Sequence, residues 1–340
     1  MQYRALGTTG LQISEIGFGC SGNSGLMTIG AYEDQLTVIA RAIELGINYF
    51  DNAPDYGDGA GEIALGKVIK ELGVRPIITS KVEIRECNLS NIADHIQKSV
   101  EESLTRLGVD YLDILQIHNG PTIARPRLEG RSYRVLGLED YYAPHGALEG
   151  LARVQRQGKA RFLGFICRGD DGVPVRQLLD TGLFSMINLP YTLLNPTAAL
   201  PRPFGMEVDG DYGEVIPYAN NKGIGTAIIS PLAAGLLTDQ IVGGADFHPL
   251  SRPMTEGQRV LLPRAKALRF LSTKEHSLAQ AAIRFVLMLP GVTTVLSGVS
   301  DLDQQEEIVA ASGAGPLNPE QMARVEMVWR APLASLQTRI

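Results

Sequence analysis

The stretch Tyr49-Phe50-Asp51-Asn52-Ala53-Pro54-Asp55-Tyr56-Gly57 decides how the rest of the chain is interpreted. It begins as a short apolar strand, turns polar at Asp51, and continues into a loop that holds Tyr56 and several glycines. An acid at the end of a buried strand, followed by a tyrosine on a glycine-rich loop, is typical of the catalytic face of an α/β barrel. We therefore predict a catalytic site where this strand ends.

Strand and helix patterns alternate on both sides of this stretch. Residues 3 to 14, with the turn Thr8-Thr9-Gly10, are expected to form a β-hairpin. Later helices are indicated by apolar residues at spacings of three and four and by glycines that follow their last turns. The predicted strands are 16–19, 47–50, 77–80, 111–117, 162–166, 186–189, 224–229 and 293–296. The predicted helices are 33–45, 62–72, 90–107, 147–157, 175–179, 214–221, 276–288 and 302–311.

Eight such units predict an α/β fold, a (β/α)8 TIM barrel with an N-terminal β-hairpin, formed by residues 1–340 as a single domain. An open doubly wound sheet would need a Gly-x-Gly-x-x-Gly turn after an early strand, with an acid about 20 residues later. Gly57, Gly59 and Gly61 do not have that spacing, so the barrel is favoured.

Composition and charge exclude several classes of partner. A formal net charge of -6 argues against nucleic acid and anionic membrane surfaces, which attract basic proteins. Neither a long uncharged apolar run nor an apolar segment behind the N-terminal charge occurs, so we expect a cytoplasmic protein without a membrane partner. The three cysteines and five histidines are scattered without ligand spacing, and no metal is expected.

Four titratable residues stand at the predicted catalytic face. Asp51, Lys81 and His118 end three successive strands, and Tyr56 follows the first of them. Each alone is as readily a cap, a solvated charge or a packed side chain, but the carboxyl ends of barrel strands open on one face and bring them together. We expect Lys81 to lower the pKa of Tyr56, Asp51 to hold Lys81, and His118 to bond a substrate oxygen or relay a proton. Such a tyrosine can protonate a carbonyl oxygen as hydride reaches its carbon, or act as a base in the reverse direction.

The chain resembles the aldo-keto reductases over nearly its whole length. The resemblance lies in residues 3–11, 46–57, 110–118 and 230–238, and in Lys81 at the end of its strand. The last of these segments, with Phe247-His248-Pro249, is most similar to the sugar and pyridoxal dehydrogenase branch. The resemblance implies an oxidoreductase that uses NADPH or NADH, with Asp51, Tyr56, Lys81 and His118 as catalytic residues. The cofactor-binding positions it implies are Gly19, Cys20, Asp51, Asn188, Ser230, Leu232, Gly298, Ser300 and Gln304.

Several cofactor positions depart from the family pattern. Ile166 and Cys167 stand where many members have a Ser-Asn pair for the nicotinamide carboxamide, and Ile229 replaces a stacking aromatic. Asn188 stands for a glutamine and can still hydrogen-bond an amide.

At the adenosine end, Ser300 and Asp301 occupy positions where members that prefer NADPH usually carry Arg or Lys. An acid there would repel the 2′-phosphate and accept a ribose hydroxyl. The resemblance thus favours NAD while leaving NADP open, because basic residues upstream either fold over the phosphate or form a solvated helix face. These are Arg264, Lys266, Arg269 and Lys274.

The expected activity is hydride transfer between the nicotinamide and a small carbonyl or alcohol substrate. Two long loops, 119–146 and 195–213, are expected to select that substrate, because they carry tyrosines and arginines and are predicted to lack secondary structure. Two alternatives stay open: a cofactor-assisted non-redox enzyme such as an epimerase, dehydratase or lyase, and a regulatory binding subunit with vestigial redox activity. The oligomeric state is not predicted.

Overall fold

Eight parallel strands close into a barrel in the computed structural model, which describes residues 1–126, 134–168 and 172–337. The strands in chain order are β1 Tyr3–Ala5, β2 Gln12–Ser14, β3 Ile16–Gly19, β4 Tyr49–Asp51, β5 Ile77–Val82, β6 Leu112–Ile117, β7 Gly120–Thr122, β8 Val135–Gly137, β9 Ala160–Ile166, β10 Met186–Pro190, β11 Gly225–Ile229 and β12 Thr294–Ser297. The barrel runs β3-β4-β5-β6-β9-β10-β11-β12 and closes by pairing of β12 with β3.

The helices surround the barrel and follow the strands in sequence. They are α1 Leu26–Ile29, α2 Tyr32–Glu44, α3 Ala60–Leu72, α4 Ile92–Leu107, α5 Leu138–Tyr142, α6 Ala147–Arg156, α7 Gly172–Leu179, α8 Val215–Asn221, α9 Asp239–Val242, α10 Glu256–Ala267, α11 Leu278–Leu287, α12 Leu302–Val309, α13 Pro319–Arg330 and α14 Leu333–Gln337. Single 3-10 turns form at Glu86–Asn88 and Arg269–Leu271. The predicted barrel is confirmed.

Local chemistry explains the ends of a typical helix, α4. Asn91 caps its first turn by accepting a hydrogen bond from the Asp94 amide, and Gly108 ends it with a φ of 65°. A left-handed residue at this place favours glycine because a side chain would be strained there. Buried Ile92, Ile96 and Val100 recur on one face, which packs toward the barrel core.

The N-terminal hairpin closes the amino end of the barrel. Strands β1 and β2 pair antiparallel, as predicted, with Tyr3 opposite Ser14. Leu6 and Ile13 of this hairpin are fully buried and pack in one cluster with interior residues of the barrel strands, among them Tyr49 and Ile114. Since one end is plugged by apolar side chains, polar chemistry is left to the carboxyl ends of the strands.

The segment 119–146, expected to lack secondary structure, differs from that expectation. It contains the parallel pair β7 and β8 and helix α5, and the Gly120 amide donates to the Arg134 carbonyl. The two strands are only three residues long and lie far apart in sequence, so no periodic pattern in the sequence predicts them. Helices α1, α9, α10, α13 and α14 also lie outside the eight predicted units.

Among the described residues, no helix has the length and apolar character needed to cross a membrane.

Candidate active site

The structure brings Asp51, Tyr56, Lys81 and His118 together at the carboxyl end of the barrel. The Lys81 ammonium donates to Asp51 Oδ1 at 2.5 Å and to the Asn52 carbonyl at 2.7 Å, and its third contact is the Tyr56 hydroxyl at 3.2 Å. The His118 ring stands edge-on to the Tyr56 ring, with 5.7 Å between centroids. Asp51, Lys81 and His118 are buried, while the Tyr56 side chain is half-buried at the mouth.

The loop after β4 is folded so that Tyr56 returns over its own strand. Asn52 is fully buried, and its amide donates to the Gly61 carbonyl while its oxygen accepts from the Ala53 amide. A Cβ at Gly61 would lie 2.9 Å from the Asn52 Oδ1. Only glycine allows this approach without displacing Asn52, so the sequence at 52–61 fixes the position of Tyr56.

The second oxygen of Asp51 is held from the opposite side. Asn188, on β10, donates its side-chain amide to Asp51 Oδ2 at 3.0 Å, and Gln116, on β6, donates to Asn188 Oδ1 at 2.8 Å. Both amide residues are fully buried. The resemblance implied that Asn188 binds the cofactor, whereas here its amide is committed to Asp51 and Gln116.

His118 is held between a carboxylate and a guanidinium. Its Nδ1 lies 2.8 Å from Asp55 Oδ1, and its Nε2 lies 2.8 Å from Arg168 Nη2. A guanidinium can only donate, so Nε2 accepts and the proton of the neutral ring sits on Nδ1, facing Asp55. Asp55 Oδ1 therefore faces the Nδ1–H group across this 2.8 Å contact.

Burial is the largest single influence on the pKa values of the site, but not always the one that sets the direction of the shift. For Lys81 burial alone would lower the pKa, but the charge of Asp51 and the bonds to Asp51 and Tyr56 raise it above its usual value. Burial raises the pKa of Tyr56 to about 12, and Lys81 offsets only part of this effect. Lys81 thus lowers the Tyr56 pKa as expected, but burial outweighs it and the net shift is upward. Burial also lowers the pKa of His118, against the opposing contact with Asp55, and keeps the ring neutral near pH 7.

Arg168 is a residue of this site that the sequence did not predict, as are Asp55 and Gln116. It follows β9 directly after Ile166 and Cys167, both of which are buried. No spacing or periodicity marks an arginine at this position, and only the closure of the barrel brings β9 beside β6 and hence Arg168 beside His118.

Apart from Asp51, Asn188 and Cys20, the residues implied to bind a cofactor fall into two groups. Gly19, Gly298, Ser300 and Gln304 lie together: the Ser300 amide donates to Gln304 Oε1, and its hydroxyl donates to the Ser24 carbonyl. A Cβ at Gly19 would touch Gly298 at 3.4 Å. Ser230 and Leu232 lie on the loop after β11 and are exposed and half-buried, respectively. The Cys20 side chain is fully buried, and burial raises its thiol pKa, so it presents no reactive group.

An acidic cavity of about 500 Å³ lies away from Lys81, at the start of α12. Its carboxylates are those of Asp246, Asp301, Asp303 and Glu307, and His248 also lines it, 3.7 Å from Asp301. Asp301 caps α12 by accepting from the Gln304 amide at 2.8 Å. Carboxylates of this kind fit ribose hydroxyls and disfavour an added phosphate, so the residues suit the adenosine end of a dinucleotide. Arg264 is fully buried and donates to the Glu207 carbonyl, so it is not part of a solvated helix face.

Several side chains of the two loops expected to select the substrate are buried or are paired within their own loop. Arg125 pairs with Asp140 at 2.8 Å within its own loop, and Tyr141 is fully buried. In the second loop Met206 is buried and Phe204 almost fully exposed. Arg127, Arg131 and Tyr133 of the first loop lie outside the described residues.

Comparison with known proteins places this architecture in one family. The sequence model of the Aldo/keto reductase family matches residues 15–330. The L-galactose dehydrogenase of Arabidopsis thaliana is 30% identical over 92% of this chain and 88% of its own, and the L-glyceraldehyde 3-phosphate reductase of Escherichia coli K12 is 26% identical over 96% and 92%. A holo-form aldo-keto reductase of Bacillus halodurans superposes with a TM-score of 0.72 at 25% identity, over 97% of both chains. With a matching model across most of its length and oxidoreductases among its relatives, the chain belongs to the aldo/keto reductase family.

Proposed function

We propose that the protein is a nicotinamide-dependent oxidoreductase that interconverts a small, sugar-like carbonyl compound and its alcohol, with Tyr56 as the general acid or base. The observation that carries the proposal is the buried contact series from Asp51 through Lys81 to Tyr56, with distances of 2.5 and 3.2 Å. This series keeps a cation, itself paired with Asp51, next to one phenol, where it can stabilise the phenolate that forms when Tyr56 gives up its proton.

The chain's own residues account for the handling of the proton. A nicotinamide, when bound, would supply or receive the hydride at the substrate carbon. Tyr56 carries its proton at neutral pH and donates it to the oxygen of the carbonyl group as that oxygen gains negative charge. The adjacent Lys81 cation stabilises the phenolate that remains, and Asp51 keeps Lys81 charged and in place. His118 forms the polar wall next to Tyr56.

The adenosine end supports NAD over NADP. Four carboxylates line the cavity beside α12, and the described lining residues include His248 but no lysine or arginine. A 2′-phosphate placed there would meet four carboxylates against one imidazole, whereas a ribose hydroxyl can donate to the carboxylates.

The direct test is the Tyr56→Phe variant, which removes one hydroxyl. We expect reduction of a small aldehyde with NADH to fall by about 10²–10⁴-fold, the range of a lost general acid. Tyr3→Phe, on the hairpin at the opposite end of the barrel, is the matched control and should keep full activity. Circular dichroism must show the same fold in all three proteins. Undiminished turnover in Tyr56→Phe would refute the mechanism, and product formed without net oxidation of NADH would indicate the non-redox alternative.

A further inference from the structure

Gln116 is a fully buried polar residue that has no role in the proposed mechanism. Its Nε2 donates to Asn188 Oδ1 at 2.8 Å, whereas its Oε1 has no hydrogen-bond partner among the described residues. A buried amide that is only half bonded costs free energy, and an apolar side chain of the same size would avoid that cost. The stability of the core alone therefore does not account for a glutamine at this position.

The Gln116 side chain crosses a neighbouring strand to reach Asn188. Gln116 lies on β6 and Asn188 on β10, and β9 runs between these two strands in the barrel. The β9 residue paired with Gln116 is Gly164, and a Cβ there would lie 3.1 Å from the Gln116 Cγ and 2.6 Å from the Met186 carbonyl oxygen. A glycine in this strand thus leaves the space that the glutamine side chain needs.

The contact from Asn188 to Asp51 joins opposite walls of the barrel. Asp51 lies on β4, which is separated from β10 by β5, β6 and β9 on one side and by β3, β12 and β11 on the other. Asn188 Nδ2 donates to Asp51 Oδ2 at 3.0 Å, while Asp51 Oδ1 accepts from Lys81 at 2.5 Å. The two oxygens of the carboxylate are therefore held from different sides, one by a cation and one by a neutral amide.

A single hydrogen bond would not fix the orientation of either terminal group. The last torsion of an aspartate or asparagine side chain has a broad energy profile, so a group bonded at one atom can still turn. Asn188 prevents this rotation for the Asp51 carboxylate, and Gln116 prevents it for the Asn188 amide. Because the amide is uncharged, it holds Asp51 without replacing Lys81 as the ionic partner.

We propose that Gln116 is a positioning residue for proton transfer by Tyr56. It holds the Asn188 amide on Asp51. Asp51 in turn keeps the Lys81 ammonium 3.2 Å from the Tyr56 hydroxyl. Without Gln116 the carboxylate turns, and the ammonium loses its contact with the phenol. The inference rests on the proposed function and adds to it a residue that touches neither substrate nor Tyr56.

The Gln116→Met variant tests the proposal, because methionine has a similar length and volume but no donor. The matched control is Thr294→Val, on β12, which also removes a fully buried polar atom from a barrel strand. The Thr294 hydroxyl has no hydrogen-bond partner among the described residues. Reduction of a small aldehyde with NADH gives kcat and KM, and an equilibrium titration gives the NADH dissociation constant. Circular dichroism must show the same fold in all variants.

We expect Gln116→Met to lower kcat by about 10- to 100-fold, since a displacement of about 1 Å in a catalytic group can cost about 100-fold. The NADH dissociation constant should not change, and Thr294→Val should leave kcat unchanged. An unchanged kcat in Gln116→Met would overturn the inference. Weaker binding of NADH at unchanged kcat would assign Gln116 to the nicotinamide, through Asn188, and would overturn it too.

A double-mutant cycle with Tyr56→Phe distinguishes positioning from a general weakening of the barrel. In Tyr56→Phe there is no phenol hydroxyl for Lys81 to act on, so adding Gln116→Met should cost no further turnover. A general structural defect would lower the residual rate of Tyr56→Phe by the same factor as it lowers that of the wild type. That result would refute the positioning role.

Proton exchange of the Lys81 ammonium can be followed by NMR without turnover, which separates this inference from the proposed function. The ammonium is buried and contacts Asp51, Asn52 and Tyr56, so its protons should exchange slowly with water. Its signal is identified by its absence from Lys81→Arg. If the wild type reduces no aldehyde, the proposed reaction fails, but faster exchange in Gln116→Met than in Thr294→Val would still uphold the link to Lys81. Equal exchange in the two variants would refute it.

Discussion

Tyr56 holds its proton across the neutral range, because burial raises its pKa to about 12. The protonated form is the one that reduction needs, and the ionised form is the one that oxidation needs. We therefore expect the rate of alcohol oxidation to rise with pH, whereas the rate of carbonyl reduction stays level up to about pH 10 as far as Tyr56 is concerned.

Ultraviolet difference spectra of the wild type against Tyr56→Phe, recorded along a pH titration, check this expectation. No phenolate that disappears with Tyr56 should form below about pH 10. If a tyrosine ionises near neutral pH in the wild type but not in the variant, then Lys81 lowers the Tyr56 pKa by more than burial raises it, and the burial argument is wrong.

Asn188 is expected to act through Asp51, because its amide bonds Asp51 Oδ2 and accepts from Gln116 in a fully buried place. Asn188→Leu leaves a buried carboxylate oxygen and a buried amide unpaired, and should lower the free energy of unfolding by about 1–3 kcal/mol for each orphaned group. Gln116→Leu orphans only Asn188 Oδ1. The double variant should lose less than the sum of the two, since each change removes a partner of the other.

Urea unfolding of the three variants measures this coupling. Strictly additive losses would mean that the two amides do not depend on each other, contrary to their 2.8 Å bond.

Replacing a glycine by alanine should lower stability in β7 and raise it in α10. In β7, a Cβ at Gly120 meets the Arg168 backbone at 2.8 Å, so Gly120→Ala displaces Arg168 or strains the strand, at about 1–3 kcal/mol of overpacking. In α10, Gly257 is exposed and a Cβ there meets nothing within 4 Å. Gly257→Ala should stabilise the protein by about 0.4–1 kcal/mol through helix propensity and a less flexible unfolded chain.

Thermal unfolding ranks the two variants. A stabilising Gly120→Ala would disprove the tight approach of β7 to Arg168.

The barrel elements were open to prediction because their signals are local. Apolar runs such as Leu112–Ile117 and the glycine that ends α4 show strand and helix without reference to the rest of the chain. The three-residue pair β7 and β8 gives no such signal, since its bonds join residues about fifteen positions apart. The position of Arg168 beside His118 and the orientation of the Asn188 amide depend on which strands pair in the barrel. That pairing cannot be inferred from the local sequence around either residue. The Tyr56 pKa required knowledge of burial as well as of the nearby charge.

In the whole molecule, the two ends of the barrel have different roles. The hairpin seals the amino end with apolar side chains, and the carboxyl end holds the buried charges of Asp51 and Lys81 and the neutral ring of His118. The negative charge of the chain, which totals -6, is also unevenly distributed, because four carboxylates line the cavity beside α12. The field at that cavity, rather than a single contact, should govern the choice of dinucleotide.

Repulsion of the 2′-phosphate by this cavity has a distinctive dependence on salt. The screening length falls from about 10 Å at 0.1 M salt to about 3 Å at 1 M, so added salt should weaken the repulsion. It should therefore lower the ratio of the NADPH to the NADH dissociation constant.

Asp303→Asn, which removes an exposed carboxylate of the cavity and spares the helix cap at Asp301, should lower the same ratio at low salt. Asp110→Asn, at the amino end of β6, changes the net charge equally and should leave it unchanged. Equilibrium titrations with each dinucleotide give the ratio; a ratio that rises with salt would reveal a cation bound to the phosphate and reverse the assignment to NAD.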